Sequence, residues 1–479
     1  MVSAQARRYN VVMPQNDFRA KSSAALADPR LREAVRRNTL HQDQSRRLRL
    51  ADLPDANALR DLAGRIKQHA LDHLDYYIQT LTEAVQKNGG YVHIASDGAE
   101  ARRIILEIAK AAGCQRIIKS KSMATEEVHL TRHLEKSGLE VVETDLGEFI
   151  VQISGDRPSH LVAPIIHKDR ASIAKVFHEF FHTTPGNDDA ESLTRQARNY
   201  LREKFRLSDM GITGGNFLVA ETGQVCVVEN EGNARQSIST PGVLVSLVGI
   251  EKVVPRLVDL AVMLKLLARS CTGQAMTVYT NLFGGPRAAS EKDGPREFHL
   301  VLLDNSRSEI LADPEMRETL RCIRCGACLN ACPVYRNIGG HAYGSVYPGP
   351  IGALISPLML GLDRFADLPR ASSLCGACAE ACPVKIDIPK HLVQLRRRMT
   401  TQRPGGRMQR LAYRAGAWTL SSPALYGLVG RMQRKRLRRR ADSSGWISSL
   451  PKIVSGWTDV RDLPAPARRS FHQLWKDRV

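Results

Sequence analysis

Seven of the ten cysteines in this 479-residue chain fall within 61 residues, in two runs: Cys322-x2-Cys325-x2-Cys328-x3-Cys332-Pro333 and Cys375-x2-Cys378-x3-Cys382-Pro383. Thiolates three residues apart on a tight turn converge on three corners of one small cluster, while the Cys-Pro leaves the turn and reaches a neighbouring cluster. Two such runs imply two 4Fe-4S clusters held crosswise. Zinc also binds CxxC pairs, but it does not need three thiolates in series followed by Cys-Pro, twice over. A disulfide framework is set aside because the chain is long and shows no secretory segment.

The second run is short by one ligand. Crossed assignment gives Cys322, Cys325, Cys328 and Cys382 to the first cluster and leaves the second with Cys332, Cys375 and Cys378. Three residues before Cys375 stands Ser372. The fourth corner is therefore a 3Fe-4S vacancy, an open site, or one filled by Ser372, by His341 from the loop between the runs, by a partner-chain residue or by solvent. The spacing does not choose among them.

The length suggests two or three domains, and 43% hydrophobic with 25% charged residues is the composition of a soluble globular protein. The N-terminus carries no apolar stretch of signal-peptide length, and the longest weakly polar segment, Gly349 to Leu362, is too short to span a bilayer. The expectation is a cytoplasmic protein, in a compartment reducing enough for cluster thiolates. The net charge of +20 is concentrated: from His391 to Val479 there are 20 Lys and Arg against four acids, and all four tryptophans (Trp418, Trp446, Trp457, Trp475) lie there too. The basic segment Arg431 to Arg440 reads as a surface for an acidic partner subunit or for peripheral contact with a membrane. Nucleic acid is the weaker reading, since the chain shows neither a nucleic-acid-binding motif nor a basic domain throughout.

Periodicity sets the rest. Ala56 to Gln86 has apolar residues at helical spacing and predicts at least one long amphipathic helix, ended by Gly89-Gly90. Strands are then predicted at Tyr91–Ala95, Cys114–Lys119, Glu140–Thr144 and Leu161–Ile166. Between them fall helices from Asp97 to about Ala112, from Ala124 to Ser137, and from about Asp169. This alternation indicates a parallel sheet covered on both faces. Gly214 to Asn230 reads as two apolar strands joined by a Thr-Gly turn, and strands near Ala275–Thr280 and Phe298–Leu303 are expected to complete the sheet.

Asn216, Glu221, Thr222, Asn230, Glu231 and Asn233 form a dense polar set around those strands, a candidate substrate or anion site, with turn chemistry as the alternative. Lys119-Ser120-Lys121-Ser122 follows a predicted strand and could hold phosphate or carboxylate, although it lacks the glycines of a nucleotide fingerprint. Cys114, Cys226 and Cys271 sit in apolar surroundings and read as small buried hydrophobes. No residue is singled out as catalytic.

The stretches CIRCGACLNACPVY (Cys322 to Tyr335), GGHAYGSVYPGPIGA (Gly339 to Ala353) and SLCGACAEACPVKIDIP (Ser373 to Pro389), with TGGNFLVAETG (Thr213 to Gly223) and NEGNAR (Asn230 to Arg235), resemble the lactate-utilisation protein B family. The resemblance runs from about Phe18 to the tail segment Asp462 to Trp475. It implies an N-terminal α/β lactate-utilisation domain similar to the ribose-5-phosphate isomerase and CoA-transferase fold, a mainly α-helical two-cluster ferredoxin module, and a basic, partly helical C-terminal region. Expected boundaries are 1–88 for an N-terminal helical segment, 89–305 for the α/β domain, 306–392 for the cluster module and 393–479 for the tail. It further implies a cytoplasmic complex that oxidises L-lactate to pyruvate, in which this chain is the iron-sulfur subunit, inactive without its partners: a cysteine-rich subunit and a second lactate-utilisation-domain subunit. The electron acceptor is left open. Two rival readings remain: a heterodisulfide-reductase-like oxidoreductase acting on another 2-hydroxy acid, and a redox sensor with an anion-binding α/β domain.

Overall fold

Ten strands follow one another in the first part of the chain: β1 (Tyr91–Ala95), β2 (Arg116–Lys119), β3 (Glu140–Glu143), β4 (Met210–Thr213), β5 (Phe217–Val219), β6 (Gln224–Glu229), β7 (Val243–Gly249), β8 (Val253–Val254), β9 (Tyr279–Phe283) and β10 (Glu297–Leu303). They make two sheets in a computed structural model that describes residues 17–183, 188–402, 406–451, 458 and 461–477. The chain divides into two units, one through Arg398 and one from Met399.

The larger sheet has the order β1-β10-β7-β4-β2-β3, and every pair is parallel. Its middle strand β7 (VLVSLVG) is buried along its whole length. A strand covered on both faces shows no alternation, so the period-2 rule passes over it. One face carries Ile117, Met210, Val243, Val245 and Val301 against Ala101, Ile105 and Leu134 from the flanking helices. The other face carries Leu244, Val248, Phe298 and Leu300 against Leu81 and Val85.

The β5–β6 hairpin does not complete this sheet. It forms a separate four-stranded sheet, β8-β5-β6-β9, in which the expected strand at Ala275–Thr280 is Tyr279–Phe283 instead. Alternation along β5 explains the layering: Leu218 packs into the core shared with the large sheet, while Phe217 and Val219 pack into the core of the cysteine module. The hairpin sheet is thus the layer between the two.

Three further expectations are refined or corrected. The helical stretch over 56–86 is two helices, Ala56–Asp72 and Leu74–Lys87, broken at His73. The break lets Ala63, Ile66 and Leu71 face the cysteine module while Leu74, Leu81 and Val85 face the large sheet. The helix over 124–137 is likewise two short ones, Met123–Glu127 and Leu130–Lys136, separated at His129 in the left-handed region. Leu161–Ile166 is not a strand: Pro164 removes a ladder donor, and the His160 Nδ1 accepts the N–H of Val162 and of Ala163, both at 3.1 Å.

In the second unit, helices Arg407–Ser421 and Pro423–Arg438 bury none of their residues, and a two-strand ribbon pairs Trp446–Ile447 with Leu463–Pro464. Trp418, Trp446 and Trp475 are exposed. Trp457 lies outside the described residues. No described helix is long and apolar enough to cross a membrane.

Candidate metal centre and adjoining cavity

The two cysteine runs fold as one turn used twice. Arg324 and Leu374, each preceding the middle cysteine of the repeat, are left-handed (φ +61° and +56°), and so are Gly326 and Gly376 just after it (φ +78° and +87°). Each turn then enters a five-residue helix, Ala327–Ala331 or Ala377–Ala381. Two left-handed residues flanking one cysteine curl the backbone around its sulfur, and backbone N–H groups point at the thiols: Arg324 N donates to Cys322 Sγ at 3.4 Å and Ile386 N to Cys382 Sγ at 3.4 Å. Tyr335 N does the same to Cys332 Sγ at 3.5 Å.

Cys322, Cys325, Cys328 and Cys382 line one small apolar cavity with Leu161, Ile351, Val384, Ile386 and Ile388. Burial, with the neighbouring thiols adding to it, pushes Cys328 well above the usual thiol range, and Cys382 up to about 11. Free thiols held like this stay protonated, so a metal is what would draw out four thiolates here. Cys332, Cys375 and Cys378 form a second group: burial and then Cys332 push the Cys378 thiol up to about 12, with Cys375 contributing. Cys375 is exposed, and the N–H of Ala377 and the Ser373 side chain lower its pKa. The donor chemistry fits iron-sulfur clusters at both places.

The helix Ala56–Asp72 supplies cations behind the first group. Arg60 donates to the Cys382 carbonyl through Nη2 (2.8 Å) and Nε (3.2 Å), and Gly64 admits the Val384 carbonyl to 3.0 Å of where a Cβ would stand. Lys67 is buried and donates to the carbonyls of Glu251 and of Val253; burial and then Lys252 lower its pKa to about 7. The sequence offers no local signal for these three, because their partners lie roughly 200 to 320 residues away.

A second cavity, of about 240 Å³, opens beside the first cysteine turn. It sits where the larger sheet's strands end: Ser120–Ser122 follow β2, Gly214–Asn216 follow β4, and Gly249 ends β7 with Glu251 and Lys252 just beyond it. Parallel neighbours bring these carboxyl ends to one edge, where α/β sheets commonly bind ligands. Asn216, Asn230, Glu231 and Asn233 line it, as do Lys121, Lys252, Arg324, Cys271 and Cys325. Glu221 and Thr222 do not: they serve the hairpin turn, Glu221 accepting the Leu257 N–H at 2.9 Å and the Thr222 carbonyl accepting from Asn88 at 3.0 Å.

Beneath the cavity runs a buried ionic network that joins the α/β domain to the cysteine turn. Arg307 pairs with Glu251 at 2.5 Å and Glu127 at 2.8 Å, Arg324 pairs with Glu251 at 3.3 Å, and the Tyr347 hydroxyl donates to Glu127 at 2.5 Å. Burial alone would raise Glu251, but Arg307 and Arg324 overcome it and hold the carboxyl at about 2. Burial, followed by Arg324, lowers Lys252 to about 8, and burial followed by Asp145 raises Glu231.

Other candidates are placed elsewhere. Lys119 is buried among Glu143 (2.9 Å) and Glu126 (3.4 Å), so its ammonium is already neutralised. His341 donates through Nε2 to the Arg157 carbonyl (2.7 Å) and packs edge-on against His167, beside Asp156. The Ser372 hydroxyl accepts the Leu374 N–H of its own turn at 3.2 Å. Cys114 and Cys226 are buried among apolar residues, as expected.

Fold and site together define an α/β domain with a parallel sheet followed by a ferredoxin-like cysteine module. Family models match in that succession: LUD domain over residues 78–303, 4Fe-4S dicluster domain over 318–386, and lactate utilisation protein B, C-terminal, over 400–479. Lactate utilization protein B of Exiguobacterium sp. is 43% identical over 96% of this chain and 97% of its own, and that of Bacillus cytotoxicus is 44% identical over 90% and 91%. An uncharacterized electron transport protein, YkgF, of Escherichia coli K12 is 42% identical over 96% of each chain. The chain belongs to the lactate utilization protein B family. A crystal structure of a DUF162 family protein from Deinococcus radiodurans covers 48% of this chain and 98% of that one at 12% identity and a TM-score of 0.28, too remote to carry an argument.

Proposed function

We propose that this chain is the iron-sulfur electron-transfer subunit of a cytoplasmic complex that oxidises L-lactate to pyruvate. The observation that carries the reading is the grouping of the seven cysteines, four around one cavity and three in a second cluster of thiols. The first 4Fe-4S cluster is assigned to Cys322, Cys325, Cys328 and Cys382, the second to Cys332, Cys375 and Cys378 with one non-cysteine corner. Oxidation of a 2-hydroxy acid releases two electrons and two protons, and iron-sulfur clusters accept electrons singly. The protein residues insulate the first group with Leu161, Ile351 and Val384 and surround it with Arg60, Lys67 and Arg324, which favour an anionic cluster. Exposure of Cys375 puts the second group at the surface, where electrons can leave.

The two other lactate-utilisation subunits, one cysteine-rich and one with its own LUD domain, are proposed as partners required for turnover. The all-parallel six-stranded sheet supports the likeness of the α/β domain to the ribose-5-phosphate isomerase and CoA-transferase fold. The test is anaerobic reconstitution followed by lactate-dependent dye reduction, with this chain alone and with the partner subunits. Seven to eight irons per chain, on the order expected for paired ferredoxin runs, and dye reduction only in the assembled system are expected. Zinc in place of iron, or no more than about four irons, would refute it.

A further inference from the structure

Three polar groups on the wall of the 240 Å³ cavity lack partners. The Arg324 Nη1 and the Ser120 Oγ are buried with no hydrogen-bond partner, and the Lys252 ammonium makes no hydrogen bond or ion pair among the described residues. Leaving such groups unpaired in a protein interior is costly, so an occupant that pairs with them is favoured. Their surroundings define its charge. Of the acids lining the cavity, Glu251 is engaged by Arg307 and Arg324, and Glu229 by the N–H groups of Ala234 (2.7 Å) and Arg235 (2.8 Å). Asp145 and Glu231 also line the cavity, and neither is paired with a cation among the described residues, which disfavours a dianion such as phosphate more than a monoanion.

We infer that this cavity binds a small monocarboxylate of the 2-hydroxy or 2-oxo acid class, with its carboxylate on Lys252 and Arg324 and its 2-oxygen within reach of Ser120. The inference rests on the lactate-oxidation reading and deepens it, assigning the acid to this subunit and placing it against Cys325. The volume suits a molecule of a few carbon atoms and is below the roughly 300 Å³ at which pockets for drug-sized ligands begin. Position agrees with chemistry: the cavity lies at the carboxyl ends of β2, β4 and β7, and its far wall is the turn that presents Cys325.

Equilibrium dialysis of labelled pyruvate and L-lactate against the anaerobically reconstituted full chain tests this. One site per chain is expected. Lys252→Met should weaken it by about tenfold to a hundredfold, the range for losing a hydrogen bond to a charged group, with iron content and far-UV circular dichroism unchanged. Ser120→Ala, a smaller change, should weaken pyruvate binding but not acetate binding. In the reduced protein, pyruvate should perturb the EPR signal of the wild type and not that of Lys252→Met. Equal affinity in wild type and Lys252→Met, or phosphate displacing pyruvate at lower concentration than lactate does, would overturn the inference. So would failure of both acids to bind this chain while the assembled system still reduces dye with lactate. Loss of dye reduction in every combination, with Lys252-dependent pyruvate binding intact, would overturn the functional reading and leave the site standing.

Discussion

Glu251→Gln should destabilise the first unit by about 3 kcal/mol at neutral pH. The carboxyl is buried between Arg307 and Arg324 and held at about 2 instead of 4.5. At 1.36 kcal/mol per tenfold change in proton affinity, that depression corresponds to roughly 3 kcal/mol of stability. Removing one partner of a buried ion pair costs about 3–5 kcal/mol by independent measurement, which agrees. The sign follows from the depressed value. The contribution is fully present above pH 4.5 and is lost as pH falls toward 2, so the gap between wild type and variant should be constant from pH 8 to 5 and narrow below that. Thermal unfolding followed by far-UV circular dichroism, under anaerobic conditions with iron bound, measures it. Tryptophan fluorescence would not, because all four tryptophans lie beyond residue 398. Domains of 150–250 residues shift by 2–4 °C per kcal/mol, so for a larger unit the expected fall in Tm is no more than roughly 10 °C. An unchanged Tm at pH 7, or a gap that widens on acidification, would refute the network as a stabilising element.

Two further outcomes are expected. Ser372→Cys places a soft thiolate three residues before Cys375, where the repeat lacks one, and should slow iron loss from the second group in air while leaving the first unchanged; identical EPR signals and oxygen sensitivity in the variant would place Ser372 away from the open corner. Truncation after Gly406 should leave iron content and visible absorbance intact, since the second unit is compact in its own right, while lowering affinity for partner subunits or anionic vesicles in a salt-dependent way; loss of clusters on truncation would make the tail part of the cysteine module instead.

What the sequence determined by itself is local. The cysteine turns carry their geometry in eleven residues of chain, with glycine where a left-handed residue follows the middle cysteine. Asp97 and Asp169 cap the helices they precede, accepting Ala99 N at 2.8 Å and Ser172 N at 2.8 Å, because an N-cap needs only its own next turn. The hairpin β5–β6 is readable for the same reason. Tertiary structure decided the rest. Whether that hairpin joined the parallel sheet or stood apart depended on which faces of Phe217, Leu218 and Val219 found partners, and those partners lie in two different cores. Of the polar set around the hairpin, Asn216, Asn230, Glu231 and Asn233 reached a cavity and Glu221 and Thr222 closed a turn, a distinction set by the strand ends around them. Lys252 and Arg324 stand 72 positions apart in the chain, in segments with no shared periodicity. They meet because β7 is parallel to its neighbours and delivers Lys252 to the same edge at which Arg307 and Glu251 anchor the first cysteine turn. Spacing is a property of the chain, but convergence is a property of the packed sheets.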